Sequence, residues 1–168
     1  MDFQLRAWQE SDAENLAHFA NNKKIANNLT NKFPHPYTLE NAKAFIQMAM
    51  SYQPTQIFTI DVDGNAVGGI GVHDHNDVYA KNMELGYWLA EPYWGNGIIT
   101  KAIQQIVSYA FETFDITRIY ARPYGPNLAS QRVLEKAGFT LEARLEKTFF
   151  KNGVFLDELI YAVRKESN

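Results

Sequence analysis

The chain of 168 residues contains no cysteine. That excludes disulfides, thiolate metal sites and a cysteine nucleophile, and it fits a cytoplasmic protein. No apolar run approaches the roughly 18 residues that a membrane span needs. The opening residues, MDFQLRAWQESD, lack the apolar core of a secretory signal. No polybasic stretch occurs, so neither nucleic acid nor a membrane is an expected partner. Internal repeats and low-complexity segments are also missing. Charge is modest: charged residues make up 21% and the net charge is −3. That mild acidic excess is compatible with a cationic substrate and decides little else.

What is present is material for a core. Hydrophobic residues account for 46% of the chain and aromatics for 14%. At this length a single domain over residues 1–168 is the expectation. Phe3 to Trp8 alternates like a strand. Ser11-Asp12-Ala13-Glu14 has the spacing of a capping box, which predicts a helix from Asp12 to about Ala20. A short helix over Lys23 to Leu29 follows, then a loop from Thr30 to Tyr37. Thr38 is placed to cap a helix reaching about Tyr52. Gln56 to Val62 and Ala66 to Val72 read as strands joined by the turn Asp63-Gly64-Asn65. Asp74 to Lys81 is polar loop. Further on come a strand over Arg118 to Arg122 and a helix over Asn127 to Ala137 closed by Gly138. Strands over Phe139 to Lys147 and Phe155 to Arg164 end the chain, with a turn at Lys151-Asn152-Gly153.

The most informative stretch runs from Glu84 to Phe111. Leu85, Tyr87 and Leu89 alternate with Glu84, Gly86 and Trp88, the period of a strand. Pro92 cannot donate to a ladder and stops it. After Gly95-Asn96-Gly97, Ile99, Ala102, Ile103, Ile106, Ala110 and Phe111 recur at helical spacing. A helix that starts right after two glycines presents amides without intrahelical partners, together with the positive end of its dipole. Glycine also lets an anion approach the backbone. From these residues alone, a diphosphate cradle and a plain strand-to-helix turn both stand.

Two nucleotide loops fail here. A P-loop needs a Gly-Lys pair, and the chain has none. A dinucleotide fingerprint needs a third glycine where Thr100 stands, and an acid ending the next strand, which ends Ala121-Arg122. A coenzyme A diphosphate site is the third option, beside the plain turn. The segment Tyr93-Trp94-Gly95-Asn96-Gly97-Ile98, after Glu84-Leu85-Gly86-Tyr87-Trp88-Leu89, resembles the GNAT acetyltransferases. It is closest to the RimJ/RimL-like branch of ribosomal-protein N-terminal acetyltransferases. Asn127 to Phe139, NLASQRVLEKAGF, resembles the same branch, about 30 residues downstream. The resemblance spans nearly the whole chain.

The resemblance implies an α/β GNAT fold: a mixed, mostly antiparallel sheet with a central parallel pair and helices on both faces. It implies an acetyl-CoA-dependent N-acetyltransferase without a metal, in which an amine attacks the thioester directly. The diphosphate would lie on amides of Trp94, Gly95, Asn96, Gly97, Ile98 and Ile99, with Thr100 adding a hydroxyl. The strand edge at Leu89 and the side chain of Asn127 would hold the pantetheine arm. Two positions depart from the family loop, Gln/Arg-x-x-Gly-x-Gly/Ala. Trp94 stands at the basic or amide position and Ile99 at the last small one. A third departure is Leu134, seven residues after Asn127, where many members carry a tyrosine acid. Ser130 is the implied substitute, with Tyr124 as a second donor. Glu84, on the strand lining the cleft, is the candidate base.

The acceptor implied is a protein N-terminal α-amine. A small amine (polyamine, amino acid or antibiotic) and a non-catalytic acyl-CoA sensor are the alternatives. The protein is expected as a monomer or homodimer. His73-Asp74-His75-Asn76-Asp77 has the look of a metal cluster, but it sits where a strand runs into a polar loop. Phe33, His35, Tyr37 and Tyr79 are candidates for the acceptor side.

Overall fold

The computed structural model describes residues 1–167. Its strands are β1 (Gln4–Ala7), β2 (Ile57–Val62), β3 (Asn65–Asp74), β4 (Asn82–Leu89), β5 (Arg118–Ala121), β6 (Thr140–Lys151) and β7 (Val154–Arg164). The helices are α1 (Ala13–Ala20), α2 (Lys23–Ala26), α3 (Leu39–Met50), α4 (Ile98–Thr113) and α5 (Leu128–Lys136). The strands make a seven-stranded sheet in the order β1-β2-β3-β4-β5-β7-β6. β4 and β5 are parallel, as strands joined by a helical crossover must be, and α4 is that crossover. β1–β2, β2–β3, β5–β7 and β6–β7 are antiparallel. No helix among the described residues is long and apolar enough to cross a membrane.

The chain divides into two compact units. The first holds residues 1–71 and 87–102, the second residues 72–86 and 103–167. No linker separates them: β3, β4 and α4 each pass from one to the other.

In the first unit, helical spacing puts Leu16 and Ala20 of α1 on one stripe, and Ala42, Ile46 and Ala49 of α3 on another. These stripes join Trp8, Ile57, Ala66 and Trp88 in one apolar cluster. β3 contributes a bare patch. A Cβ on Gly69 would lie 2.7 Å from the Trp88 indole nitrogen and 3.5 Å from Trp8, so the two tryptophans fill the space that the missing side chain leaves. Beside the cluster, the Arg6 guanidinium bridges two buried carboxylates, Asp12 at 2.8 Å and Asp61 at 2.6 Å. That pairing corrects the expected start of α1. Asp12 is drawn inward, its carboxylate accepts the Gln9 amide at 2.9 Å, and a 3-10 turn over Glu10–Asp12 precedes the helix. Ser11 lies inside that turn and is not the cap.

In the second unit, Met83, Ile119, Leu134, Leu159 and Tyr161 are buried to 2% exposure or less. β6 is longer than the alternation predicts and reaches Lys151. Its pairing with β7 shifts register between Leu145 and Phe149, and Lys147 takes a φ of 52° there. Such a bulge breaks the period-two pattern while the strand continues.

Candidate active site

The recorded pairing of β4 with β5 ends at Glu84↔Tyr120, while β4 continues to Leu89. Pro92 then sits in a 3-10 turn over Glu91–Tyr93. That turn is held in place: the Glu91 carboxylate accepts from Lys24 at 2.6 Å and from Asn22 at 2.8 Å. These two bonds, that of Lys24 first, keep the Glu91 pKa below its ordinary value.

The loop that follows is built from left-handed glycines. Gly95 and Gly97 have φ of 78° and 74°, and a Cβ on either would point into open space. Three nearby carbonyls are occupied. The Trp94 indole donates to Leu89 O at 2.7 Å, and the Asn96 side-chain amide donates to Tyr93 O at 3.0 Å and Trp94 O at 3.2 Å. The Trp94 amide is spent on the turn, donating to Glu91 O at 3.1 Å. The amides of Gly95, Asn96, Gly97, Ile98 and Ile99 make no hydrogen bond among the described residues. The first α4 bond runs from Lys101 N to Gly97 O. Ile98 is buried at 1% exposure and anchors the helix start, while Ile99 and Thr100 are half-buried. The result is a row of free donors at the positive end of a 16-residue helix. A diphosphate fits this donor set.

The second unit holds the remaining candidates. Glu84 is engaged by Arg122 through two bonds, Nε to Oε2 at 2.6 Å and Nη2 to Oε1 at 3.1 Å. This partner was not expected from the sequence. Arg122 lies beyond the last β4–β5 pair, and only the parallel register puts it within reach. Its own pKa is raised, chiefly by the bond to Glu84. Tyr120, opposite Glu84 in the ladder, shares a 2.7 Å hydrogen bond with His75 Nε2. Its phenol pKa is pushed up, first by burial and then by the Glu84 charge. His75 is therefore tied to Tyr120, and no cluster of three metal-ligating side chains occurs among the described residues.

Asn127 caps α5: its Oδ1 accepts the Ser130 amide at 3.2 Å. Ser130 is half-buried on the first turn of that helix. Leu134, one turn on, is fully buried. Tyr124 is 8% exposed, packs on Phe149 with ring centroids 5.1 Å apart, and has its pKa raised by burial. Of the acceptor-side candidates, Phe33 and Tyr37 belong to the first unit's apolar packing. Phe33 lies 5.9 Å from the Trp88 ring and 5.1 Å from that of Tyr37. His35 and Tyr79 are exposed.

Comparison with known proteins decides the family. The model of the acetyltransferase (GNAT) domain matches residues 2–140. The chain belongs to the GNAT acetyltransferase family. Among its relatives is a putative ribosomal N-acetyltransferase, YdaF of Bacillus subtilis, 34% identical over 103 residues, which are 61% of this chain and 56% of that protein. The chain spans about half the length of the first curated relatives it matches. Spermidine N(1)-acetyltransferase of Escherichia coli is 24% identical over 90% of this chain and 80% of its own. A solved acetyltransferase from Salmonella typhimurium, described as modifying the N-terminal serine of ribosomal protein L7/L12, superposes with a TM-score of 0.82. It is 24% identical, over 98% of this chain and 95% of that one. That likeness establishes the GNAT fold, with its mixed sheet and one parallel pair.

Proposed function

We propose that this protein is an acetyl-CoA-dependent N-acetyltransferase that transfers an acetyl group to a primary amine in a ternary complex. One observation carries the reading. Side-chain donors occupy the carbonyls of Leu89, Tyr93 and Trp94, and the amides of residues 95–99 make no hydrogen bond among the described residues. Such a surface takes an anion and suits a diphosphate. Bound acetyl-CoA would supply the thioester that the amine attacks. The proposed binding residues are Leu89, Gly95, Asn96, Gly97, Ile98, Ile99 and Thr100 in the first unit and Asn127 in the second. Asn127 keeps its Nδ2 available for a carbonyl while Oδ1 caps α5. No metal takes part in this proposal.

Ser130 is the proposed acid toward the leaving thiolate. Leu134 has no proton to give, and Ser130 stands one turn before it on the same helix, while Tyr124 is the second donor proposed. Glu84 is proposed to take the amine proton through water. A carboxylate has about four lone-pair positions, and Arg122 uses two of them.

The proposed acceptor is a protein N-terminal α-amine, supported by relatives named for ribosomal proteins, YdaF among them. A polyamine is the second reading, supported by the spermidine enzyme, whose match extends over 90% of this chain. A cytoplasmic location is proposed with either. The test is thiol release from acetyl-CoA against N-terminal peptides, polyamines and amino acids. Turnover with peptides alone selects the first reading, and turnover with spermidine alone selects the second. Tight CoA binding without turnover on any amine overturns both and leaves an acyl-CoA sensor.

A further inference from the structure

Trp94 is an unusual tryptophan for this chain. Trp8 and Trp88 are 2% and 9% exposed, whereas Trp94 is 46% exposed. Burial of its ring is therefore not what holds it. Its polar end is committed instead: Nε1 donates to the carbonyl of Leu89, the last residue of β4, at 2.7 Å. Its amide is committed as well, to Glu91 O at 3.1 Å. The residue is thus pinned at both ends and joins a rigid strand terminus to the start of the glycine loop.

The identity of the bonded group matters. Leu89 ends the strand that leads into the loop proposed to take a diphosphate, and a carbonyl oxygen turned toward that loop would repel an anion. We propose that Trp94 is a positioning residue for the diphosphate. Its indole draws the Leu89 carbonyl back and sets the loop in its anion-binding form before the ligand arrives. The inference rests on the acetyl-CoA reading above. A loop already ordered loses less freedom on binding, so the clamp appears as affinity even though the indole touches no phosphate. Asn96 acts in the same sense on Tyr93 O and Trp94 O, but it is local to the turn. Of the two side chains, it is that of Trp94 that reaches back to the strand.

The experiment is titration calorimetry of the full chain with coenzyme A, for wild type, Trp94→Phe and Trp94→Gln. Melting curves show that each variant is folded. Trp94→Phe keeps a ring and removes the N–H, and it is expected to weaken CoA binding about tenfold, the effect of one well-placed hydrogen bond. Trp94→Gln returns an N–H donor on a different frame and is expected to recover most of that loss. A purely structural role for the ring predicts the reverse order, with glutamine the worse substitute. Unchanged affinity in Trp94→Phe, or a glutamine variant as weak as the phenylalanine one, overturns the clamp while wild-type binding keeps the cofactor reading intact. A wild-type chain that binds no CoA overturns the cofactor reading, and the clamp with it.

Discussion

Ser130 follows Asn127 by one helical turn, and the two are joined through the Asn127 cap. That arrangement separates two effects of mutation. Ser130→Ala removes the hydroxyl and leaves the amide that the cap uses. Turnover is expected to fall by about tenfold or more, with CoA affinity little changed, in steady-state kinetics paired with calorimetry. An unaltered rate and pH profile would remove Ser130 as the acid. A second residue-scale prediction concerns alkaline pH. Burial pushes the Tyr37 phenol up to about 12. Tyr161 also stands at about 12, through burial and then the hydrogen bond it donates to Glu135 at 2.8 Å. The ordinary value is 10.0, so an unfolded chain ionises first. The stability these groups contribute is complete below pH 10 and is lost as pH rises through about 12. Thermal melts should be level up to pH 10 and fall above it, and Tyr161→Phe should lessen the fall.

At the scale of the element, the Gly95–Gly97 loop and the start of α4 act as one piece. Gly97→Trp places a bulky residue at a φ of 74°, in space now open beside the free amides. CoA binding is expected to disappear while circular dichroism stays native. Unchanged affinity by calorimetry would overturn the cradle. This element was the most legible part of the sequence, because a proline stop, two glycines and a helical apolar stripe are all local signals. The hairpin at Asp63-Gly64, with φ of 52° and 84°, was legible for the same reason. Long-range pairings were not. Arg122 reaching Glu84, His75 reaching Tyr120 and Arg6 reaching Asp61 all depend on register between distant strands and turns. The end of β6 was missed because its bulge at Lys147 interrupts alternation. Ser11 was read as a cap from spacing that a buried ion pair overrides.

At the scale of the whole molecule, the two compact units share three continuous elements: β3, β4 and α4. We propose that the chain folds as a single domain, since neither unit can unfold without fraying an element of the other. Calorimetric and van't Hoff enthalpies should then agree, in one transition. Two resolved transitions would assign the units independent stability. The close contact between Gly69 and Trp88 carries a different kind of consequence. With 2.7 Å between the site of a Cβ and the indole nitrogen, positions 69 and 88 are one choice and not two. Alanine at 69 is open only to a chain that has first given up the indole at 88. The mutational route between the two states therefore has a permitted order, position 88 before position 69, and a library that varies position 69 alone will find only glycine.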